Sequence, residues 1–285
     1  MRFLKNMAFG LRSYWKAIKF MIEYRFYWYL GIPAVLMLFI YWLGAKLQSH
    51  QFIPQTQNVN EVIWYMFYLL VEISIAVLLM KFSKYLVVAL LSPLLAKLSE
   101  KTENILTGNK YPWNFKQLVN DVKRAMRIIV RNLMWEYFFF LIILIVSIIG
   151  WEDPRSSPVF YLTFVIGFYY YGFAFLDYIN ERRRLSMDES IVFMRKNRGL
   201  AIVIGGMYSI MILVPVKISV LFNFAAFEVD FFPALGNFML NLSLWICASA
   251  APILAIIAAT IAMDDLVDLS TNEHSLSERN DEDDE

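Results

Sequence analysis

Cysteine, histidine and charge are all scarce in this chain. Its 285 residues hold one cysteine, Cys247, and two widely separated histidines, His50 and His274. A lone thiol inside an apolar run excludes an internal disulfide framework and a Cys-rich metal site, and reads as a small buried apolar residue. Two distant histidines assemble no metal site, so neither metal nor cofactor is expected. Serine, histidine and acidic residues never gather, and no glycine-rich loop is present to cradle a phosphate, so nothing points to an enzyme. The net charge is only +1, which sets nucleic acid aside as a partner. A cleavable leader is missing too, since residues 1–20 are basic and aromatic without a compact apolar core.

Apolar side chains are what the chain has in excess. Hydrophobic residues make up 59% of it and aromatics 17%, against about 45–50% apolar in ordinary soluble chains. One soluble core cannot hide that much. The Lys and Arg residues are segregated as well: residues 1–25, 81–131 and 180–198 hold six, ten and six of the 26. Stretches between the other run ends carry only Lys46, Arg155 and Lys217, and Arg279 lies in the tail. Basic residues beside membrane segments bias those ends to the cytoplasm, so the pattern predicts a multi-pass membrane protein with both termini cytoplasmic.

The runs themselves predict an all-α membrane protein with long bent transmembrane helices, short helical hairpins able to enter the bilayer partway, and amphipathic cytoplasmic helices. Residues 1–25 suit an interfacial amphipathic helix, residues 26–263 form one polytopic domain, and residues 264–285 an acidic disordered tail. Within the domain, Phe26–Leu47 is long enough to cross a ~30 Å hydrocarbon core, with Pro33 either kinking it or capping a short preceding turn. Val62–Leu98 is too long for one crossing and projects into the cytoplasm, bent at Pro93. From Trp113 to Leu133 apolar residues recur every three or four positions opposite Lys116, Lys123, Arg124, Arg127 and Arg131, the pattern of a basic amphipathic helix. Tyr137–Trp151 and Val159–Asp177 are either two tilted spans or a re-entrant hairpin. Leu200–Phe224 is expected to break at Pro215, and Ala234–Met263 at Pro252.

Polar residues inside this apolar background are the candidate site. Glu72 lies mid-run in Val62–Met80, where a carboxylate costs about 2.5–3.5 kcal/mol on insertion scales; it is either a relay on an ion path or a hydrogen-bonded tie between helices. Glu136 is placed to partner Arg131 or Arg127, and Asp177 to anchor its helix by pairing with the Arg182, Arg183 and Arg184 cluster. That cluster directly precedes a capping box, Ser186 with Glu189, which opens a helix over Met187–Arg198 closed by Gly199. Cations and free helix amides would converge there on an anion, either a substrate or the anionic headgroups of membrane lipids.

Three stretches carry a resemblance. DYINERRRLS with MRKNRG spans residues 177–199, SPLLAKLSEKTENILTG spans residues 92–108, and Pro215 is followed by APILAIIAAT at residues 251–260. Taken in their order along the chain, these stretches resemble the bacterial CysZ sulfate permeases and the related eukaryotic etoposide-induced membrane proteins, over roughly residues 60–265. The resemblance implies a homo-oligomeric all-helical permease for sulfate or another small oxyanion, with an anion site ahead of the first long helix. There the family's Gly-x-Arg-Arg-type turn is replaced by MIEYRFYWYLGIP, residues 21–33, leaving Arg25 alone beside Glu23. Arg25 and nearby backbone amides are thus the expected anion screen. A membrane scaffold that organises lipids or partner proteins is the alternative: transport expects the buried polar groups on one path, scaffolding expects them to pair off.

Overall fold

The computed structural model describes residues 2–48, 64, 85, 87–111, 115–153 and 156–271; the expectations for Glu72, for Lys81 and Lys84, for most of Val62–Leu98 and for the tail from residue 272 lie outside them. Among the described residues the regular elements are all helical: α1 (Arg2–Glu23), α2 (Gly31–Gln48), α3 (Ser92–Thr107), α4 (Phe115–Gly150), α5 (Leu162–Arg182), α6 (Met187–Lys196), α7 (Arg198–Ile212), α8 (Ile218–Phe222), α9 (Ala226–Val229) and α10 (Phe231–Val267). The chain is an all-α, multi-pass membrane protein. Among the described residues, three helical segments are long and apolar enough to cross a bilayer, Val122–Gly150, Pro158–Arg182 and Phe231–Val267, and a fourth arises if the bent pair α1 and α2 counts as one span.

The central pillar is α10. It is apolar on all sides, and from Ala248 to Met263 its side chains are buried. Alanines at 248, 250, 251, 255, 258, 259 and 262 let neighbouring backbones approach closely, and α1, α2, α3, α5 and α7 all pack against it. Here the expectation of a break at Pro252 is corrected. The helix runs through it as one 37-residue element, because packed neighbours stabilise a proline-containing membrane helix despite the missing amide.

A second correction concerns the basic amphipathic stretch and the apolar run that follows it. They are not separate elements. Both belong to α4, whose 36 residues reach about 54 Å at 1.5 Å per residue, so its apolar end is the outer part of a long rod and not a short hairpin arm. Its inner edge contacts α5, whereas Met134, Trp135, Phe138, Ile142, Ile145 and Ile149 are exposed, as a lipid-facing stripe requires.

Among the described residues, helices α5 and α7 form the closest pair. A Cβ built on Gly172 would lie 1.8 Å from the Ala201 carbonyl oxygen, and one on Gly205 would lie 1.9 Å from that of Phe168. Helix α1 lies against α7 and α10. Gly10 faces Val203 and Leu200, the Tyr14 hydroxyl donates to the Ile204 carbonyl at 2.8 Å, and Lys16 pairs with Asp265. Its apolar residues Leu4, Leu11, Trp15 and Ile22 remain exposed, which suits a helix with one face on the bundle and another towards lipid.

Between α1 and α2 the chain turns through 100°. A 3-10 turn over Phe26–Leu30 fills the corner, and α2 starts at Gly31 with Pro33 in its first turn, where the missing amide costs no intrahelical bond. Of the two roles open to Pro33, the structure therefore selects the cap after a short turn.

Candidate functional site

Two buried charge clusters and one exposed bend hold the polar residues. The first cluster is built on Arg182, in the last turn of α5. Its guanidinium donates to Glu103 Oε2 at 2.8 Å and to Ser99 Oγ at 2.8 Å, so the cation bonds residues one turn apart on α3. Glu103 is fully buried and Arg182 only 10% exposed. The carboxylate also accepts from the hydroxyl of Tyr111 and, at 3.4 Å, from Asn109 Nδ2. Ser99 continues the chain of contacts to Thr260 on α10 at 2.7 Å, and Asn109 donates to the Leu269 carbonyl at 2.7 Å. One network thus ties α3 and α5 to the buried part of α10 and to the turn that follows it. A buried charge persists only when paired and hydrogen-bonded in this manner.

The second cluster centres on Asp177, 5% exposed on its side chain. Arg124 of α4 meets it in bidentate fashion, Nε to Oδ2 and Nη2 to Oδ1, each at 3.1 Å, and Nη1 donates to the Leu185 carbonyl at 2.6 Å. Ser190 Oγ on α6 donates to Asp177 Oδ1 and accepts from Asn180 Nδ2 at 2.9 Å. Asp177 therefore anchors its helix through an arginine of α4, 53 positions upstream, and through a serine of α6. The arginine cluster next to it in sequence points elsewhere.

The reason is the chain reversal after α5. Arg184 adopts a left-handed φ of 52°, its amide donates to Glu181 O at 2.8 Å, and the Leu185 amide donates to Asn180 O at 3.0 Å. This is a Schellman closure with arginine in the place that usually takes glycine. It sends Arg182 inward to Glu103, stacks Arg183 over the Phe193 ring at 5.6 Å and leaves Arg184 exposed. Burial pushes the Arg183 guanidinium below its ordinary value. The helix that follows has the expected capping box: Glu189 Oε2 accepts from the Ser186 amide at 2.8 Å, and Ser186 Oγ accepts from the Glu189 amide at 3.3 Å. These hydrogen bonds hold the exposed Glu189 carboxyl below the usual range. The amide expected to be open to an anion thus already faces a carboxylate. Closure by Gly199 is corrected: α6 ends at Asn197, whose side chain accepts from Asn6 at 3.2 Å, and Gly199 lies inside α7 against the Phe3 carbonyl.

Glu136 is buried at 3% exposure. It accepts from the Tyr85 hydroxyl at 2.9 Å and sits so close to α5 that a Cβ on Gly167 would be 3.0 Å from its Oε1. Arg131 lies over the Phe173 ring at 5.4 Å.

At the bend, Arg25 is exposed and held in a left-handed conformation at φ 58°, heading the 3-10 turn. Lys101 of α3 approaches this turn, 5.1 Å from the Phe26 ring and 5.4 Å from the Tyr29 ring, with Nζ donating to the Tyr29 hydroxyl at 3.4 Å. Sequence reasoning missed Lys101, because 76 residues separate it from Arg25 and nothing local marks it. Among the described contacts none joins Arg25 to Arg182, Arg183 or Arg184.

A family model described as sulfate transporter CysZ/etoposide-induced protein 2.4 matches residues 13–222. The match takes in the bend, both charge clusters and the capping box, and it ends before α10. None of the curated proteins matches the chain at a significant level.

Proposed function

We propose, from the premise that this chain belongs to the sulfate transporter CysZ/etoposide-induced protein 2.4 family, that it is a permease for sulfate or a related small oxyanion. The observation that carries the reading is the family match itself, which covers the exposed bend. At that bend Lys101 of α3 donates to the hydroxyl of Tyr29, and Arg25 heads the 3-10 turn that carries this tyrosine. An oxyanion needs several donors to replace its water, and these groups are of the right kind. The Arg25 backbone is held by the turn, so its side chain starts from a defined place. Arg182, Arg183 and Arg184 contribute less to such a screen, since Arg182 is neutralised by Glu103 and the neighbouring helix amide by Glu189. The charge pattern supports both termini lying in the cytoplasm, and the family resemblance supports a bacterial inner-membrane setting and a homo-oligomer.

A second reading draws on a different observation. Arg182 with Glu103 and Arg124 with Asp177 pair off inside the bundle, as expected of a membrane scaffold that organises lipids or partner proteins. Radiolabelled sulfate flux into vesicles carrying the purified full chain separates the two. The permease reading expects flux that falls severalfold in Arg25→Ala and in Lys101→Ala, with both variants still folded. Absence of flux for sulfate, sulfite and other oxyanions would overturn it in favour of the scaffold.

A further inference from the structure

One edge of α3 is basic, and α10 delivers the chain beside it. Lys97 and Lys101, one turn apart on α3, are exposed, as is Lys110 just past the Gly108 cap. Among the described residues none of these lysines has an ion pair, and neither does the exposed Arg25 at the bend. Lys101 meets the Tyr29 hydroxyl and the rings of Phe26 and Tyr29. The three lysines therefore lead from the end of α3 back to the bend that Arg25 heads, and cations in such a row favour an anionic partner.

The point where the described residues end identifies that partner. Ser99 bonds Thr260 at 2.7 Å and Asn109 donates to the Leu269 carbonyl at 2.7 Å, so α3 and the end of α10 run side by side in the same direction. Asn104 Nδ2 donates to the Asn109 carbonyl at 2.7 Å, which fastens this junction to α3, and the turn Leu269–Thr271 leaves the bundle there. Lys101 lies about 12 Å and Lys97 about 18 Å back along the helix from Asn109, at 1.5 Å per residue. The sequence that follows the turn is strongly acidic: residues 278–285, ERNDEDDE, carry six carboxylates against Arg279. Glu278 is seven residues beyond Thr271, a reach of up to about 25 Å, and Glu285 has about twice that. All three lysines fall within range.

Other carboxylates do not compete for them. Asp264 accepts from the Leu269 amide, Asp265 pairs with Lys16, and Asp268 accepts from the Ser270 hydroxyl. Glu23 and Glu100 form no ion pair with Lys97, Lys101 or Arg25.

We propose that residues 278–285 dock within their own chain on Lys97, Lys101 and Lys110, and so occupy the lysine that an oxyanion would meet at the bend. Single exposed ion pairs are weak. Tethering raises the carboxylates to an effective concentration on the order of millimolar, so several pairs together hold the stretch at low salt and release it at high salt. The docking is independent of the oxyanion reading, whereas the competition with an external anion rests on it.

The docking is tested on the purified full chain with a carbodiimide, which condenses a lysine amine and a touching carboxylate to an amide and itself takes up the water as urea; the joined peptides are identified by mass spectrometry. At low salt Lys97, Lys101 and Lys110 are found joined to carboxylates of residues 278–285, severalfold above the yield at ~0.5 M salt, where screening is short-ranged. Lys16 and Asp265, in contact in the fold, supply the standard. Absence of the α3 links while the standard forms overturns the docking and leaves the edge to anionic lipid headgroups. Links that join isotope-labelled to unlabelled chains in a reconstituted mixture assign the stretch to a second copy and overturn docking within one chain.

Sulfate flux into vesicles reads the competition. Asp281→Asn/Glu282→Gln/Asp283→Asn/Asp284→Asn/Glu285→Gln and Lys97→Gln/Lys110→Gln both leave Arg25 and Lys101 intact, and both pass sulfate severalfold faster than the native chain at low salt, with the difference closing at high salt. Links with equal flux in all three chains overturn the competition. Flux from none of them is the failure of the oxyanion reading, and the links alone then decide the docking.

Discussion

The carbonyl oxygen of Phe168 stands 1.9 Å from where a Cβ on Gly205 would be. No side chain fits between these two residues, and the opposite glycine, Gly172, has the same relation to Ala201 at 1.8 Å. Gly205→Ala or Gly172→Ala must push α5 and α7 apart, at a cost of about 1–3 kcal/mol or more for overpacking. Gly236→Ala is the control. Its Cβ meets nothing within 4 Å, and alanine is the better helix former. Thermal unfolding in detergent is expected to show a lower midpoint for the first two variants and an unchanged or higher one for the third.

Breaking the pair of Arg124 and Asp177 is expected to be asymmetric. Arg124→Gln leaves a nearly buried carboxylate with Ser190 as its remaining polar contact, whereas Asp177→Asn leaves an arginine whose side chain is 20% exposed and still bonded to Leu185 O. Loss of one partner of a buried pair costs about 3–5 kcal/mol. The arginine variant should fall at or near that range, the aspartate variant below it, and the double variant well short of their sum in a double-mutant cycle.

The three consecutive arginines should separate in the same assay. Arg182→Gln leaves Glu103 buried without its cation and lowers the unfolding midpoint markedly. Arg184→Gln removes an exposed side chain and leaves the midpoint nearly unchanged, and Arg184→Gly relieves the left-handed backbone and raises it. Similar losses for Arg182 and Arg184 would contradict the divergent orientations.

The capping box carries a pH signature. Hydrogen bonds from Ser186 depress the Glu189 carboxyl, so this contribution to α6 is full above the ordinary glutamate value and is lost as pH falls through the depressed one. Hydrogen exchange of the Glu189 amide is expected to speed up on acidification in the native chain, beyond the intrinsic pH trend. In Ser186→Ala the amide is already fast at neutral pH and that extra acid-dependent step is absent.

Much of this architecture was legible along the chain. Helical content, the long apolar runs, the basic blocks and the Ser186 to Glu189 cap are local, because periodicity, hydropathy and capping act over a few residues. The partner of each charge was not. Asp177 has three arginines five to seven positions away and pairs with Arg124 instead, because α4 packs against α5 with Arg124 at the level of Asp177, while the left-handed turn at Arg184 directs the three arginines elsewhere. Lys101 was likewise invisible beside Arg25. The breaks expected at Gly199 and Pro252 failed because packing outweighs local preference: Asn197 ends α6 before Gly199 is reached, and five surrounding helices carry α10 through its proline.

By itself, then, the sequence determined that this chain is a helical multi-pass membrane protein, since the amount and spacing of apolar residues leave no soluble alternative and local signals mark most helix ends. Only the tertiary structure decided which charges are spent on holding the bundle together and which remain open to anions. That choice depends on how helices far apart in sequence cross and turn, and a buried charge takes whichever partner the crossing brings within hydrogen-bond distance.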